Sequence, residues 1–86
     1  MNQENQDVKV LIAEDNKFNS LALVALFQQY QLNVDVAKDG LEAVELVKKR
    51  FERDGTTYPL IVLDIKMPNC DGLKSAKMIY DYLKEN

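Results

Sequence analysis

Two short apolar segments of this chain each end in acidic side chains. The first, VKVLIAED at residues 8–15, ends in Glu14 and Asp15, and the second, LIVLDIKMPNCDG at residues 60–72, places Asp64 directly after four apolar residues. An ionised carboxylate inside such a run would be costly to bury, whereas at the end of a strand it can reach solvent and ligands. Because the carboxyl ends of parallel strands meet at one edge of a sheet, the pattern predicts an acidic pocket at that edge.

Strand-like and helix-like segments alternate along the rest of the chain. They predict strands at 8–13, 33–37 and 60–63 and helices at about 18–31, 41–53 and 73–84. This β-α-β-α-β-α order predicts an α/β fold in which right-handed crossovers connect the strands of a parallel sheet. We assign residues 8–86 to one domain and expect the largely polar residues 1–7 to be a disordered leader.

Local signals mark both ends of the second helix. Asp39 and Glu42 have the spacing of a capping box, in which each side chain accepts a hydrogen bond from a backbone amide at the helix start. Asp54 and Gly55 have the residue types that end helices and begin turns. The second helix is therefore the best defined of the three.

The apolar residues of the second and third helices recur at helical spacing, so each helix should bury one face. These residues are Leu41, Val44, Val47 and Phe51 in the second helix and Leu73, Ala76, Ile79 and Leu83 in the third. The apolar residues of the first helix surround its circumference, so it needs cover on more than one side. The strand at 33–37 alternates apolar and polar residues and is predicted to be an edge, whereas the other two are predicted to be central.

Charge and hydropathy argue against nucleic acid and membrane partners. The chain has 86 residues and a net charge of −3, which gives no long-range attraction to nucleic acid. We interpret Lys48, Lys49 and Arg50 as the solvated end of a helix, where they complement its dipole. The longest apolar stretch, residues 21–27, is far too short to cross a bilayer.

Cysteine and histidine usage narrows the chemistry further. A single cysteine, Cys70, cannot form an internal disulfide, and the N-terminus lacks the pattern of a signal peptide, so a cytoplasmic location is expected. The sequence contains no histidine, which excludes histidine-based zinc sites and Ser-His triads within the chain.

Carboxylates that converge on one pocket need a cation. Two unit charges about 5 Å apart repel by roughly 3 kcal/mol at an effective dielectric of 20. A site made of a few oxygen ligands with room for water suits Mg²⁺ better than Ca²⁺. Asn16 alone could cap the first helix, which would leave Glu14 and Asp15 free to bind metal. With the charge neutralised, Asp64 could act as a nucleophile toward phosphorus and form an aspartyl phosphate.

These residues carry a resemblance to a known family. VLIAEDNKFN and LIVLDIKMPNCDG together resemble the receiver domain of two-component response regulators, and EDN-x-x-N is similar to receivers of hybrid histidine kinases and phosphorelays. The resemblance spans residues 8–85 in the family's order and includes VAKDGLEAVELV. It implies a flavodoxin-like parallel sheet, with Asp64 as the phosphoacceptor. It also implies that Glu14 and Asp15 are the acidic pair for Mg²⁺, with Asp15 the more direct ligand, and that Lys66 offers its backbone carbonyl to the metal.

The resemblance also implies a role and a partner. A receiver is a signalling module and not a turnover enzyme, and it accepts its phosphoryl group from a phosphohistidine on a histidine kinase or a histidine phosphotransfer protein. The polar start of the first helix would then be a docking edge beside the pocket. Its residues are Asn16, Lys17, Asn19 and Ser20.

The chain departs from the family in its extent. A receiver has five strands in the order 2-1-3-4-5, whereas this sequence predicts three in the order 2-1-3, truncated after the third helix and without the last two β-α units. The Ser or Thr of strand four and the Lys of strand five, which contact the phosphoryl group, are therefore not matched, so phosphoryl transfer should be impaired. The exposed strand-three edge or the first helix should then promote self-association, most simply as a two-fold dimer.

Two other functions stay open. One is a phosphorylation-incompetent interaction module derived from a receiver. Acetyl phosphate with Mg²⁺ would leave such a module unmodified. The other is a metal-dependent phosphohydrolase, which also uses an Asp nucleophile after a strand. Such enzymes commonly place a second Asp two residues further on, where this chain has Lys66.

Overall fold

The computed structural model describes residues 8–86, and the predicted leader at residues 1–7 lies outside the described residues. The elements are β1 (Val8–Ala13), α1 (Lys17–Gln29), β2 (Asn33–Ala37), α2 (Gly40–Asp54), β3 (Leu60–Leu63) and α3 (Gly72–Glu85). The predicted α/β class and element order are confirmed, and the helix ends differ from the predicted ones by one or two residues. None of the helices described here is both long and apolar enough to cross a membrane.

The three strands form one parallel sheet in the order β2-β1-β3, as predicted. β1 lies in the middle and pairs on both sides, from Val10 opposite Leu60 to Ala13 opposite Leu63 on the β3 side. Its residues from Val10 to Ala13 are almost completely buried. A strand covered on both faces is expected to be apolar without alternation, which explains the run VLIA.

The two outer strands differ from β1 in their exposure. β2 is an edge strand, as its alternating pattern predicted. The unbroken apolar run of β3 favoured a central strand, but β3 pairs only with β1 among residues 8–86 and is the second edge that the predicted order 2-1-3 implies. Leu60 is 44% exposed, and the other residues of β3 are half-buried. The outer side of β3 is therefore an open apolar edge among the residues that the structure describes.

The helices α2 and α3 pack against each other and against the sheet. Val44, Val47 and Ile79 are buried as predicted, and Phe51 meets Tyr82 edge to face with ring centroids 5.8 Å apart. Leu41 and Leu73 depart from the predicted faces, since they are 45% and 69% exposed. Each is the second residue of its helix and therefore lies in the first turn. Smaller residues take the buried positions instead, namely Gly40, Ala43, Gly72 and Ser75.

The first helix buries less of its surface than the other two. α1 lies against β1 and β2, and its buried residue is Ser20. Phe18 is 84% exposed, Leu21 62% and Leu26 47%. The helix was predicted to need cover on more than one side. Among the residues described here, only the sheet covers it.

Arg50 is buried, which corrects its interpretation as part of a solvated helix end. It is 7% exposed; its Nη1 donates to the Val8 carbonyl at 2.6 Å and its Nε to Thr56 Oγ1 at 3.2 Å. The guanidinium lies 4.7 Å from the ring centroid of Tyr58, whose hydroxyl donates to Asp35 at 2.7 Å. Burial and the hydrogen bond to Asp35 raise the pKa of Tyr58. This network fastens α2 to the amino end of β1 and to the adjacent edge strand.

We expect Arg50→Met to lower the free energy of unfolding by about 2–3 kcal/mol, because it removes charged hydrogen bonds and leaves the buried Val8 carbonyl without this donor. Lys49→Met is the matched control, since Lys49 is the exposed neighbour in the same helix. Urea unfolding of both variants is the measurement. Equal losses of stability in the two variants would contradict the structural role of Arg50.

Candidate functional site

The three acidic side chains predicted to form a pocket come together at the carboxyl edge of the sheet. One carboxylate oxygen each from Glu14, Asp15 and Asp64 lies within 4.8 Å of the others. Backbone pairing produces this convergence: the Asp64 amide donates to the Ala13 carbonyl at 3.0 Å, and the Glu14 amide donates to the Ala37 carbonyl at 3.1 Å. The first bond holds the end of β3 beside the end of β1, and the second holds the end of β1 beside the end of β2.

The three carboxylates are accessible to a ligand to different extents. Asp15 is exposed, whereas Glu14 and Asp64 are half-buried. One oxygen of Glu14 already accepts a hydrogen bond from the Asn16 amide at 3.1 Å. Asp15 and Asp64 are therefore the better placed of the three to bind a ligand directly.

The geometry of this cluster suits a small divalent cation. Mg²⁺ binds oxygen at about 2.1 Å, so ligands on opposite sides of the ion are about 4.2 Å apart. Oxygens within 4.8 Å of one another reach that spacing with small side-chain adjustments. The donors are all oxygens and all three residues are at least partly exposed, which leaves room for the water ligands that Mg²⁺ usually keeps. The residues present fit Mg²⁺.

An open cavity of about 560 Å³ adjoins the cluster. The loop between β3 and α3 forms most of its wall, and its lining residues are Asp15, Ile65, Lys66, Met67, Pro68 and Asp71. Lys66, whose backbone carbonyl is predicted to bind the metal, is exposed on this loop beside the carboxylates. Of the three carboxylates, Asp15 lines this cavity, which is large enough to hold a phosphoryl group.

Gly72 allows the loop to turn tightly into α3. A Cβ at Gly72 would overlap the carbonyl oxygen of Asp64, so a larger residue would push the helix away from the strand end. The Gly72 amide also donates to the Ile65 carbonyl at 3.0 Å. Asp71 caps α3 by accepting a hydrogen bond from the Lys74 amide at 2.8 Å.

The start of α1 lies next to the cluster. Asn16 caps this helix, accepting a hydrogen bond from the Asn19 amide at 3.0 Å, as predicted. Asn16, Lys17 and Asn19 are exposed and can take part in docking. Ser20 does not belong to the predicted docking edge, because it is 8% exposed and its hydroxyl donates to the Lys17 carbonyl.

Sequence reasoning missed a link between the loop and α2. Asp39 is 5% exposed and caps α2, with Oδ1 accepting from the Glu42 amide at 2.8 Å. Its other oxygen accepts from Asn69 Nδ2 at 2.7 Å. Glu42 accepts from the Lys38 amide, one residue before the expected partner of a capping box. The capping signal predicted the helix start but contained no information about Asn69, which is 30 residues away in sequence.

Comparison with known proteins identifies the family. The sequence-family model described as the response regulator receiver domain matches residues 10–85. The autoinducer 2 sensor kinase/phosphatase LuxQ of Vibrio parahaemolyticus is 39% identical over 80 residues, which are 93% of this chain and 9% of that protein. The chain belongs to the response regulator receiver domain family, and it spans less than a tenth of the length of this relative.

Two solved structures have a similar fold. The first is the co-crystal structure of the Saccharomyces cerevisiae histidine phosphotransfer protein Ypd1 with the receiver domain of Ssk1, with a TM-score of 0.79 and 32% identity over 93% of this chain and 51% of that chain. The second is the CheX–CheY–BeF₃–Mg²⁺ complex from Borrelia burgdorferi, with a TM-score of 0.78 and 28% identity over 94% of this chain and 64% of that one. They confirm the flavodoxin-like arrangement.

The hydrogen bonds of Asp39 give its ionisation a consequence for stability. The Glu42 amide, followed by the Asn69 side chain, lowers the pKa of Asp39. A carboxyl with an unfolded pKa of about 3.9 that is lowered on folding adds stability above that pH, and this stability is lost as the pH falls through the folded-state pKa. Asp39→Asn should therefore be less stable than wild type near neutral pH, and the difference should shrink below about pH 4. Urea unfolding from neutral to acid pH measures it, and a difference independent of pH would contradict the assignment.

Proposed function

We propose that this chain is a phosphoacceptor signalling module of a two-component phosphorelay, in which Asp64 takes a phosphoryl group from a phosphohistidine with the help of Mg²⁺. The observation that carries the proposal is the convergence of three carboxylate oxygens within 4.8 Å at the carboxyl edge of a receiver-type sheet. Glu14, Asp15 and Asp64 would bind the ion, with Lys66 contributing its backbone carbonyl. No turnover activity is required of such a module.

The proposed transfer is a single displacement at phosphorus. A carboxylate oxygen of Asp64 forms the new O–P bond while the P–N bond of the phosphohistidine breaks, and the departing electron pair stays on the imidazole nitrogen. Bound Mg²⁺ would offset the charge of the phosphoryl oxygens and of the pocket. Asp64 is half-buried, and the open cavity beside it is lined by Asp15 and by the residues that follow Asp64 in the loop.

The partner we propose is a histidine kinase or a histidine phosphotransfer protein. The similarity to the receiver domain of Ssk1, solved with Ypd1, supports this class of partner, and LuxQ is a sensor kinase/phosphatase. Docking would use the exposed start of α1, where Asn16, Lys17 and Asn19 adjoin the carboxylates. The net charge of −3 supports neither nucleic acid nor an anionic membrane surface as a partner, and a phosphorelay of this kind operates in the cytoplasm.

Phosphorylation of Asp64 is directly testable. We expect treatment with acetyl phosphate and Mg²⁺ to add one hydroxylamine-labile phosphoryl group, detected by intact-mass measurement. The modified fraction should be small, because residues 8–86 include no strand-four or strand-five groups that would contact the phosphoryl oxygens. Asp64→Asn should abolish the adduct, and EDTA should do the same in wild type.

Asp71→Asn is the matched control for this experiment, since Asp71 is an exposed carboxylate on the same loop and lines the same cavity. It should be modified as wild type is. An adduct that persists in Asp64→Asn would place the chemistry elsewhere. If wild type is not modified at all, the phosphorylation-incompetent interaction module is the correct alternative, whereas continuous release of phosphate would favour a phosphohydrolase.

We also infer that two copies of this chain associate through the open edge of β3. Beside that edge lies an apolar groove of about 310 Å³ between β3 and α3, lined by Ile61, Leu63, Ala76, Ile79, Tyr80 and Leu83. Unpaired backbone groups on an apolar edge favour the addition of another strand. A second copy brings an identical edge and groove, so a two-fold pairing covers both at once.

Light scattering across a concentration series tests this assembly. We expect the 86-residue chain to dimerise with increasing concentration. Tyr80→Glu should shift the equilibrium toward monomer, because it places a charge in the groove that the second copy would cover. Tyr30→Glu is the matched control, since Tyr30 is 70% exposed and Tyr80 is 64% exposed, but Tyr30 lies outside the groove. A cooperatively melting monomer at high concentration, or equal effects of both variants, would refute the β3 interface.

A further inference from the structure

We propose that Asp39 and Asn69 form a clasp that sets the β3–α3 loop for metal binding, so that both are positioning residues for the site. The clasp is the hydrogen bond from Asn69 Nδ2 to Asp39 Oδ2, 2.7 Å long. It joins the start of α2 to the loop that carries Lys66. The inference rests on the proposed function, because it assigns these residues a part in forming the Mg²⁺ site.

The loop is held firmly at its two ends by backbone contacts. At one end the Asp64 amide donates to the Ala13 carbonyl, and at the other the Gly72 amide donates to the Ile65 carbonyl, both at 3.0 Å. Residues 66–69 lie between these contacts, with Met67 buried in the core and the Pro68 carbonyl accepting from the Cys70 amide at 2.7 Å. The clasp adds a side-chain contact from this segment to the start of α2, at a point three residues after Lys66.

Asp39 is well suited to be the fixed half of the clasp. Its side chain is buried, and its other oxygen caps α2 through the Glu42 amide. The next residue, Gly40, is held from both sides: its carbonyl accepts a buried hydrogen bond from Ser75 Oγ at 3.1 Å, and a Cβ at Gly40 would overlap the Cys70 carbonyl oxygen. The start of α2 is thus locked to α3 and to the end of the loop, so it can hold Asn69 in place.

The residue type at position 69 supports a role beyond turn formation. Asn69 has a φ of 69°, in the left-handed region where glycine pays the smallest steric penalty. Asparagine tolerates this conformation less well than glycine but adds the amide that reaches Asp39. If the turn alone mattered, glycine would serve better. The amide therefore makes a contact that the backbone conformation alone does not require.

This difference allows stability and positioning to be separated by experiment. Asn69→Gly removes the hydrogen bond to Asp39, which costs stability, and relieves the left-handed backbone, which offsets part of that cost, so the variant should stay folded. Asp39→Ser keeps a good helix cap but is too short to reach Asn69 as well. We expect each variant to weaken Mg²⁺ binding by about tenfold, the effect typical of groups that orient metal ligands. The measurement is NMR titration of the 86-residue chain with Mg²⁺, alongside urea unfolding.

Two further variants make the test specific. The double variant Asp39→Ser/Asn69→Gly should bind Mg²⁺ no more weakly than either single variant, because both break one contact. Asp39→Asn removes the charge but can still pair with Asn69 if the Asn69 amide turns over, so it should bind within a few-fold of wild type. Comparable weakening in Asp39→Asn and Asp39→Ser, with Asn69→Gly unaffected, would mean that charge and not the clasp matters.

The outcomes separate this inference from the function on which it rests. If wild type binds no Mg²⁺, or binds it as tightly as Asp15→Ala does, the proposed function is wrong and the inference is overturned with it. If wild type binds Mg²⁺ through Asp15 and Asn69→Gly binds equally well, the clasp has no positioning role and only the inference is overturned. Weakened Mg²⁺ binding in an Asn69→Gly variant that still unfolds cooperatively supports it.

Discussion

The parallel pairing of β1 with β3 is the contact on which the rest of the molecule depends. Its register sets Ala13 opposite Leu63, so the next residues on both strands, Glu14 and Asp64, emerge side by side at one edge. A shift of one residue would turn every side chain of β3 to the other face and separate the carboxylates. The pairing that builds the core therefore also builds the candidate site.

The two ends of the sheet use charged residues in different ways. At the amino end, Arg50 is buried and satisfied by the Val8 carbonyl, by Thr56 and by the ring of Tyr58. At the carboxyl end, the three acidic side chains lie within 4.8 Å of one another and repel. A closed polar network at one end stabilises the fold, while the other end stays open to a cation and costs stability until the charge is neutralised.

Sequence patterns predicted most of the fold because they are local. Apolar runs located the strands, and capping residues such as Asp39 located the helix starts, since both act within one turn or one strand. Arg50 was misplaced because its burial is decided by a contact from a distant part of the chain, the Val8 carbonyl 42 residues away. Leu41 and Leu73 were misplaced because helical periodicity does not show that the first turn of a helix lies at the rim of the core. The carboxylates of the site were predictable because they directly follow the apolar runs that form the strands. The contact of Asp39 with Asn69 was not predictable, since no local sequence pattern links the two residues.

The helix starts explain how the acidic residues stay free for a ligand. All three helices begin at the carboxyl edge, because each one follows a strand of the parallel sheet. Asn16, Asp39 and Asp71 each cap one of these helices through a side-chain oxygen. Because the caps are supplied by these residues, Asp15 and Asp64 are not needed to satisfy backbone amides. The carboxylates at this edge therefore remain available to a cation.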